Sequence, residues 1–429
     1  MRQNLLETYS RQLKVAEAYV AKNFDGKTIS ANTQLTTAVL LDNTNRWMTE
    51  SLNSEIAGTN RSNLGDWKKF CLNLTNIAVP SLIANDLVIV HPMTSYSGLV
   101  AYLKYVALTD KNGMQGKTLN SVFGLGEMSE ERVNYASPVI VETLAEGAEP
   151  TFKAVVGGFK ISEGSEVKEY TYKIDGVYTN ELKAGKVAYV TSEFQMVRTP
   201  AEKIPSIGPK MERIALVAEP RRIAVRYDQI TAFQAKTDYG FSLDKQIAEQ
   251  ACGELAYEID TEIVAMLKEG AGEAKAELTW SKTLPAGVSK FEHYNGFLEV
   301  VEMAKAIIYN RTRKFHPNYM VIAADVLPVL RFVNGFTAVK NAKMNGPYKV
   351  GSIDGLDVYV SPELRAGDFF LGLNGSDMMT SAGVYAPYMA IVPTQLLGTP
   401  DGGMTQGFST WYAKALLNKN LLVAGRIDD

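Results

Sequence analysis

The residues of this 429-residue chain whose types suit chemistry are few: three histidines, two cysteines, some glycine-flanked hydroxyls and one acidic ladder. A neutral imidazole can serve as a base or a metal ligand, but a metal centre needs partners at fixed spacing. His91, His293 and His316 have none, so each reads as a structural or surface residue. Gly116-Lys117-Thr118 ends like a phosphate loop, whose backbone cradles phosphates while its lysine reaches the terminal ones. That loop needs a glycine five positions before Gly116, where Lys111 stands. Gly124-Leu125-Gly126 opens like a dinucleotide fingerprint, but Ser129 holds the third glycine position. Gly407-Phe408-Ser409 is half of a nucleophile elbow, with Trp411 where its last glycine belongs. Glu254, Glu258 and Glu262 share a helix face; such a ladder is ordinarily a solvated face or an interface awaiting cations, and only rarely a catalytic dyad. The chain is predicted to be no enzyme, with no catalytic residues, no metal and no cofactor.

Composition narrows the classes further. Lys and Arg number 44 against 47 Asp and Glu, so the formal net charge is −3, which argues against a dedicated nucleic-acid binder. Two cysteines, Cys71 and Cys252, cannot supply a disulfide framework. At 46% hydrophobic and 21% charged the chain should fold. No apolar run approaches the ~18 residues of a membrane span. The start, Met1-Arg2-Gln3-Asn4-Leu5-Leu6-Glu7, lacks the apolar core of a secretory signal, so an intracellular soluble protein is expected.

The elements that must position these residues follow from periodicity. Tyr9 to Val20 has weak helical spacing, and the Asn- and Thr-rich Asn32 to Asn53 reads as an arm. A helix capped by Asp66 carries Trp67, Phe70, Cys71, Leu74 and Ala78 on one face. Val100 to Leu108 alternates as a strand, and Thr109 to Glu131 is a loop. Residues 137–200 are β-patterned, with Asp175-Gly176 as a hairpin signal and Pro200, Pro205 and Pro209 as a boundary. Ile223 to Tyr227 is another strand. Arg221, Arg222 and Arg226 crowd it and Glu219 and Asp228 flank it, which suits either an intersubunit edge or a solvated strand face.

After it comes the strongest helix, with Ser242 as N-cap and Asp244 in its first turn. Leu243, Ile247, Ala251, Leu255, Ile259, Ile263 and Leu267 form an unbroken i+4 row. Each step overshoots the helical repeat by ~40°, so the row winds and must meet several partners. A third helix starts at the capping box Ser289-x-x-Glu292 and carries Tyr294, Phe297, Leu298, Val301, Ala304 and Ile308. From 318 strands alternate with short helices: Tyr319 to Ile322, a helix at Val326 to Val333, Leu356 to Val360, Phe369 to Leu373, Tyr385 to Val392 and Trp411 to Leu422. This alternation indicates an α+β region.

Four segments, in order, carry a resemblance. They are Val79-Pro80-Ser81-Leu82-Ile83-Ala84 with His91-Pro92-Met93-Thr94; Arg221-Arg222-Ile223 through Gln234 and the helix with Glu254, Glu258 and Ile259; Asn318 to Ala323 with Val326, Val329 and Leu330; and Ala382-Gly383-Val384-Tyr385-Ala386-Pro387-Tyr388-Met389-Ala390 with Gly407-Phe408-Ser409-Thr410. In them the chain resembles the major capsid proteins of T-even-like tailed bacteriophages, which have the Hong Kong 97-type capsid fold.

The resemblance implies an α+β capsid fold with an N-terminal arm over 1–65, which family members often lose to a protease that cuts after Glu. Leu5-Leu6-Glu7 and Met48-Thr49-Glu50 loosely fit such sites. It implies the start of a peripheral domain over 66–98, an extended loop over 99–226 with a β-rich insertion at about 137–200, and the rest of the peripheral domain over 227–317 with a spine helix at 242–267. An axial domain over 318–400 and a return over 401–429 complete it. The implied function is a structural head-shell protein that self-assembles into hexameric and pentameric capsomers. The shell would enclose double-stranded DNA without sequence-specific binding and without a membrane, and would be assembled in the host cytoplasm. Vertex, portal, scaffold or decoration proteins are the implied partners, and Arg221, Arg222, Arg226, Glu254 and Glu258 the candidate intersubunit residues. Readings from other classes are a pentamer-forming vertex paralogue, an encapsulin-type compartment shell and, last, an α+β enzyme.

Overall fold

The structure is a computed structural model. It describes residues 2–23, 29–53, 79–80, 82–108, 116, 139–144, 158–163, 166–171, 186–191, 206–238, 240, 243–312, 315–339, 346–394, 397–398 and 403–428. The helix expected from Asp66 to Ala78, the Ser242 cap, the Asp175-Gly176 turn and most of the 109–131 loop lie outside these residues.

The chain divides into two compact units, Met1–Tyr102 with Glu212–Asp429, and Leu103–Met211. Its strands begin with β1 (Ile89–Val90), β2 (Ser97–Ala107), β3 (Val139–Leu144), β4 (Gly158–Glu163), β5 (Glu166–Thr171) and β6 (Lys186–Thr191). Next are β7 (Ile207–Val217), β8 (Glu219–Asp228), β9 (Thr279–Ser281), β10 (Tyr319–Ala323), β11 (Thr337–Ala338) and β12 (Tyr348–Ile353). The last are β13 (Leu356–Ser361), β14 (Asp368–Gly372), β15 (Gly383–Pro393), β16 (Leu397–Gly398), β17 (Gly403–Leu416) and β18 (Leu422–Asp428). With the helices between them they make a mixed α+β architecture.

Two sheets build the first unit. A seven-stranded sheet runs β11-β12-β13-β10-β14-β18-β9, and a five-stranded sheet joins β1, β15, β17 and β16, with β8 paired along β17. In the second unit β3-β6-β4-β5 form an antiparallel sheet, as the β-patterned insertion led one to expect. Pro209 lies inside β7, two residues before the second unit ends at Met211; among the described residues β7 pairs with β2 alone, and a strand of a two-stranded ribbon always has an edge where a missing N–H costs nothing.

The long helix spans Leu243–Ala271, 29 residues, or ~43 Å. Its winding row behaves as the spacing predicts. Ala251 and Leu255 pack with Ile391 and Phe408 of the five-stranded sheet. Further along, Ile259, Ile263 and Leu267 enter a core that also holds Tyr319, Val321 and Phe370 of the seven-stranded sheet and Tyr385 and Tyr412 of the other. One helix thereby cements both sheets.

Three segments depart from the sequence reading. The N-terminal arm is helical: at Ser10–Asn23, where the spacing from Tyr9 to Val20 predicts it, and beyond that reading at Arg2–Thr8 and Ala31–Asn53, so Glu7 and Glu50 both sit in helices. Its threonines explain this: the Thr36 and Thr37 hydroxyls donate to the carbonyls of Asn32 and Thr33, which satisfies them inside the helix. Asn43 then donates to the Met93 and Tyr388 carbonyls at 2.7 and 2.8 Å, tying this helix to β15 and the chain beside β1. The third helix is interrupted at Gly296 into Lys290–Asn295 and Phe297–Thr312, though its capping box at Ser289 and Glu292 forms in full. Finally, Trp411 to Leu422 is not one strand. Asn418 turns the chain by accepting from the Asn420 N–H, and the Leu417 and Asn418 N–H groups both donate to the Ala382 carbonyl. The chain there leaves the five-stranded sheet and enters the seven-stranded one as β18.

Candidate assembly surface

Strand β8 places the arginines. Successive strand residues point to opposite faces, and exposure along β8 alternates accordingly. Ile223 and Val225 pack on the core cluster formed with the long helix. Arg221 points the same way: its Nε and Nη2 donate to the two Glu262 carboxylate oxygens at 2.8 and 3.1 Å. Glu219 adds a contact at 3.2 Å, and the guanidinium lies 5.1 Å from the Tyr412 ring centroid. Lys414 approaches Glu262 from β17 at 2.9 Å. The charge of Arg221 is thus committed inside the subunit, where its fork holds β8 onto the helix in a way a lysine's single ammonium would not.

Arg222 and Arg226 face the other way and are exposed. Arg222 lies 5.8 Å from the Trp411 ring centroid, and neither residue has an acidic partner among the described residues. Glu254 and Glu258 are exposed on the long helix, Glu254 accepting a 3.4 Å bond from Gln250. The structure therefore separates the five charged candidates: Arg221 is internal, and the other four look outward.

Two acids beneath this surface titrate abnormally. Burial pushes the Glu262 carboxyl up, but its bonds from Arg221 and Lys414 win and hold it at about 2. A carboxylate lowered in the folded state adds stability above its unfolded value of 4.5, and that contribution is lost as the pH falls toward 2. Denaturation midpoints measured from pH 6 down to pH 3 should fall more steeply for the native chain than for Glu262→Gln; equal slopes would refute this assignment. Asp260 is opposite in sign. It is fully buried and accepts from the Ala84 and Ile83 N–H groups at 3.0 and 3.3 Å. Burial raises it from 3.8 to about 7, against those two bonds and with help from Asp86. Between those values the folded chain keeps a proton that the unfolded chain has released, so stability declines as pH rises from about 4 to about 7 and then levels off. Asp260→Asn should remove that decline, read as the pH dependence of the urea midpoint.

The other chemical candidates are absorbed by packing. His293 stacks on Trp280 at 4.7 Å, with Nε2 2.9 Å from the Ser281 carbonyl, and His316 stacks on Tyr309 at 4.5 Å. Gly407-Phe408-Ser409 continues straight through β17 with Phe408 fully buried, so no elbow forms. Burial raises the Cys252 thiol to about 12, which leaves it inert. Among the described residues no group of His, Cys, Asp and Glu could hold a metal, and no helix is long and apolar enough to cross a membrane.

One positioning device had escaped the sequence reading. Asp354-Gly355 joins β12 to β13 with φ of 45° and 78°, the backbone of a two-residue hairpin turn. Lys305 reaches from the Phe297–Thr312 helix to Asp354 and to Glu302. The Asp-Gly pair was itself the legible signal.

Comparison with known proteins then places the chain. The family model described as major capsid protein Gp23 matches residues 64–426. The major capsid protein of Escherichia phage AR1 is 22% identical over 382 residues, covering 80% of this chain and 73% of that protein. That of Enterobacteria phage T4 is 20% identical over 393 residues, covering 80% and 73%. Among solved structures, the capsid of Myoviridae phage XM1 is similar with a TM-score of 0.35 at 8% identity, covering 54% of this chain and 81% of that one, a score too low to bear on the fold.

Proposed function

This chain belongs to the Gp23 major capsid protein family, and from that premise we propose how it builds a shell. It is a structural protein of the virion head, assembling into a multi-subunit shell, and not an enzyme. The finer reading is a set of hexameric capsomers, with pentamers at the vertices, that close an icosahedral or prolate head around double-stranded DNA in the host cytoplasm. The observation that carries it is the family match, which runs almost the whole length from residue 64 to residue 426.

The expected domains fit this role. The long helix is the spine of the peripheral domain, residues 318–400 the axial domain, and 99–226 the extended loop with its β-rich insertion, all within a Hong Kong 97-type plan. Arg222, Arg226, Glu254 and Glu258 supply the contacts between subunits, while Arg221 acts inside one. A near-neutral charge supports the genome-enclosing role, because each neutralised phosphate would add salt-sensitive affinity to a wall that must later release its contents.

Electron microscopy and sedimentation of the purified chain test the reading. Closed particles with five- and six-fold capsomers are expected. A monomer at high concentration, with no particles in any salt, would refute it.

A further inference from the structure

The charges left outward by the fold sit on two different surfaces of the first unit. The sheet lies between the long helix and the face that carries Arg222 and Arg226. Arg226 is paired with Thr405, and Thr405 with Leu397, so Leu397 shares that open face, where it is 64% exposed. The helix Gln229–Asp238 continues directly from β8 and presents Ile230 and Phe233, 65% and 69% exposed. Arginine with aromatic and aliphatic neighbours is the composition of an interface core. On the long helix, Glu254 and Glu258 are exposed one turn apart, with no cation beside them among the described residues.

Neither surface suits a copy of itself, since Arg222 and Arg226 would face arginines and Glu254 and Glu258 would face glutamates across a two-fold axis. Each surface suits the other. Resting on the shell reading above, we propose that neighbouring subunits meet front to back, the Arg222 and Arg226 face of one seated on the Glu254 and Glu258 flank of the next, with Leu397 beside the arginines as an apolar contact. Such a contact joins unlike surfaces, so it leaves one of each free at every step and grows until a ring closes.

Charge reversal tests this. Arg222→Glu/Arg226→Glu places acid on both surfaces, and Glu254→Lys/Glu258→Lys places base on both. Each chain alone should yield closed particles at least about tenfold less often than the native chain, since like charges meet at every contact. Mixed in equal amounts, the two should regain six-fold capsomers, seen by electron microscopy as open sheets or tubes, because every contact between unlike chains is again complementary. Five-fold capsomers should not return in the mixture, since only rings with an even number of subunits can alternate. The chain with all four reversals should regain closed particles alone. Particles at native yield from either reversed chain would overturn the proposal, as would no regain of six-fold capsomers in the mixture. Failure of the native chain to form particles would instead overturn the shell reading itself.

Discussion

Leu255→Asp should abolish the folded, assembly-competent chain. Leu255 is 2% exposed at the middle of the long helix, enclosed by Ala251 and Cys252 on its own helix and by Phe408 and Ile391 on the five-stranded sheet. No cation is part of that cluster, so an aspartate there is either a bare charge in an apolar core or a proton-bound carboxyl without partners. The cost is on the order of 4 kcal/mol or more, comparable with the whole stability of many domains. The damage would not stay local, because the same helix also enters the core between the two sheets through Ile259 and Ile263. Soluble yield and particle count should both collapse. Leu255→Met, which nearly conserves volume, should lose less than about 1.5 kcal/mol and still form particles. Normal yield of particles from the aspartate variant would refute the packing described.

Gly367→Val should be nearly as damaging, through backbone rather than side chain. Gly367 has φ of +80°, and a β-carbon there would strike the carbonyl oxygen of Ile427. The residue cannot yield, since its N–H donates to Asp325 at 2.7 Å and its carbonyl accepts from the Ile427 N–H at 2.7 Å. A β-branched residue at positive φ costs about 1–2 kcal/mol before the collision is counted. With the collision, about 3 kcal/mol is expected, which at roughly 2–4 °C per kcal/mol lowers the melting temperature by about 6–12 °C. Gly355→Ala is the matched control. Its φ is +78° but nothing lies within 4 Å of an added carbon, so it should show the backbone cost alone. Equal losses in the two variants would refute the close approach at Ile427.

Most of the architecture was written in local pattern. The row from Leu243 to Leu267 declared both the long helix and its succession of partners, and the Ser289 and Glu292 box declared a helix start to the residue. What escaped was set by distant residues. The Asn- and Thr-rich segment 31–53 is polar enough to read as an arm, and its helix is docked by Asn43 on carbonyls about 50 and 345 positions away. The break between β17 and β18 falls at Asn418-Lys419-Asn420, a short polar interval inside an otherwise apolar segment, and its turn depends on the Ala382 carbonyl just before β15. The assembly surface was half legible. Five charges were visible along the chain, but the duties of Arg221 and Arg222 diverge only because a strand alternates its faces and Glu262 waits on one of them.

Strand β18 has a consequence in time. It lies between β14 and β9, with residues 422–428 paired to 368–372 on one side and 279–281 on the other. A ribosome must therefore deliver residue 428 before the seven-stranded sheet can close, and its earlier strands wait in the cell with an open seam. Pairings this distant in sequence form slowly, and unpaired edges on a nascent chain invite aggregation. Production of soluble subunit should accordingly depend on elongation rate and on chaperones that shield the seam. Because the sheet cannot close until β18 is made, products of translation interrupted before it would lack a finished fold and should not enter a growing shell.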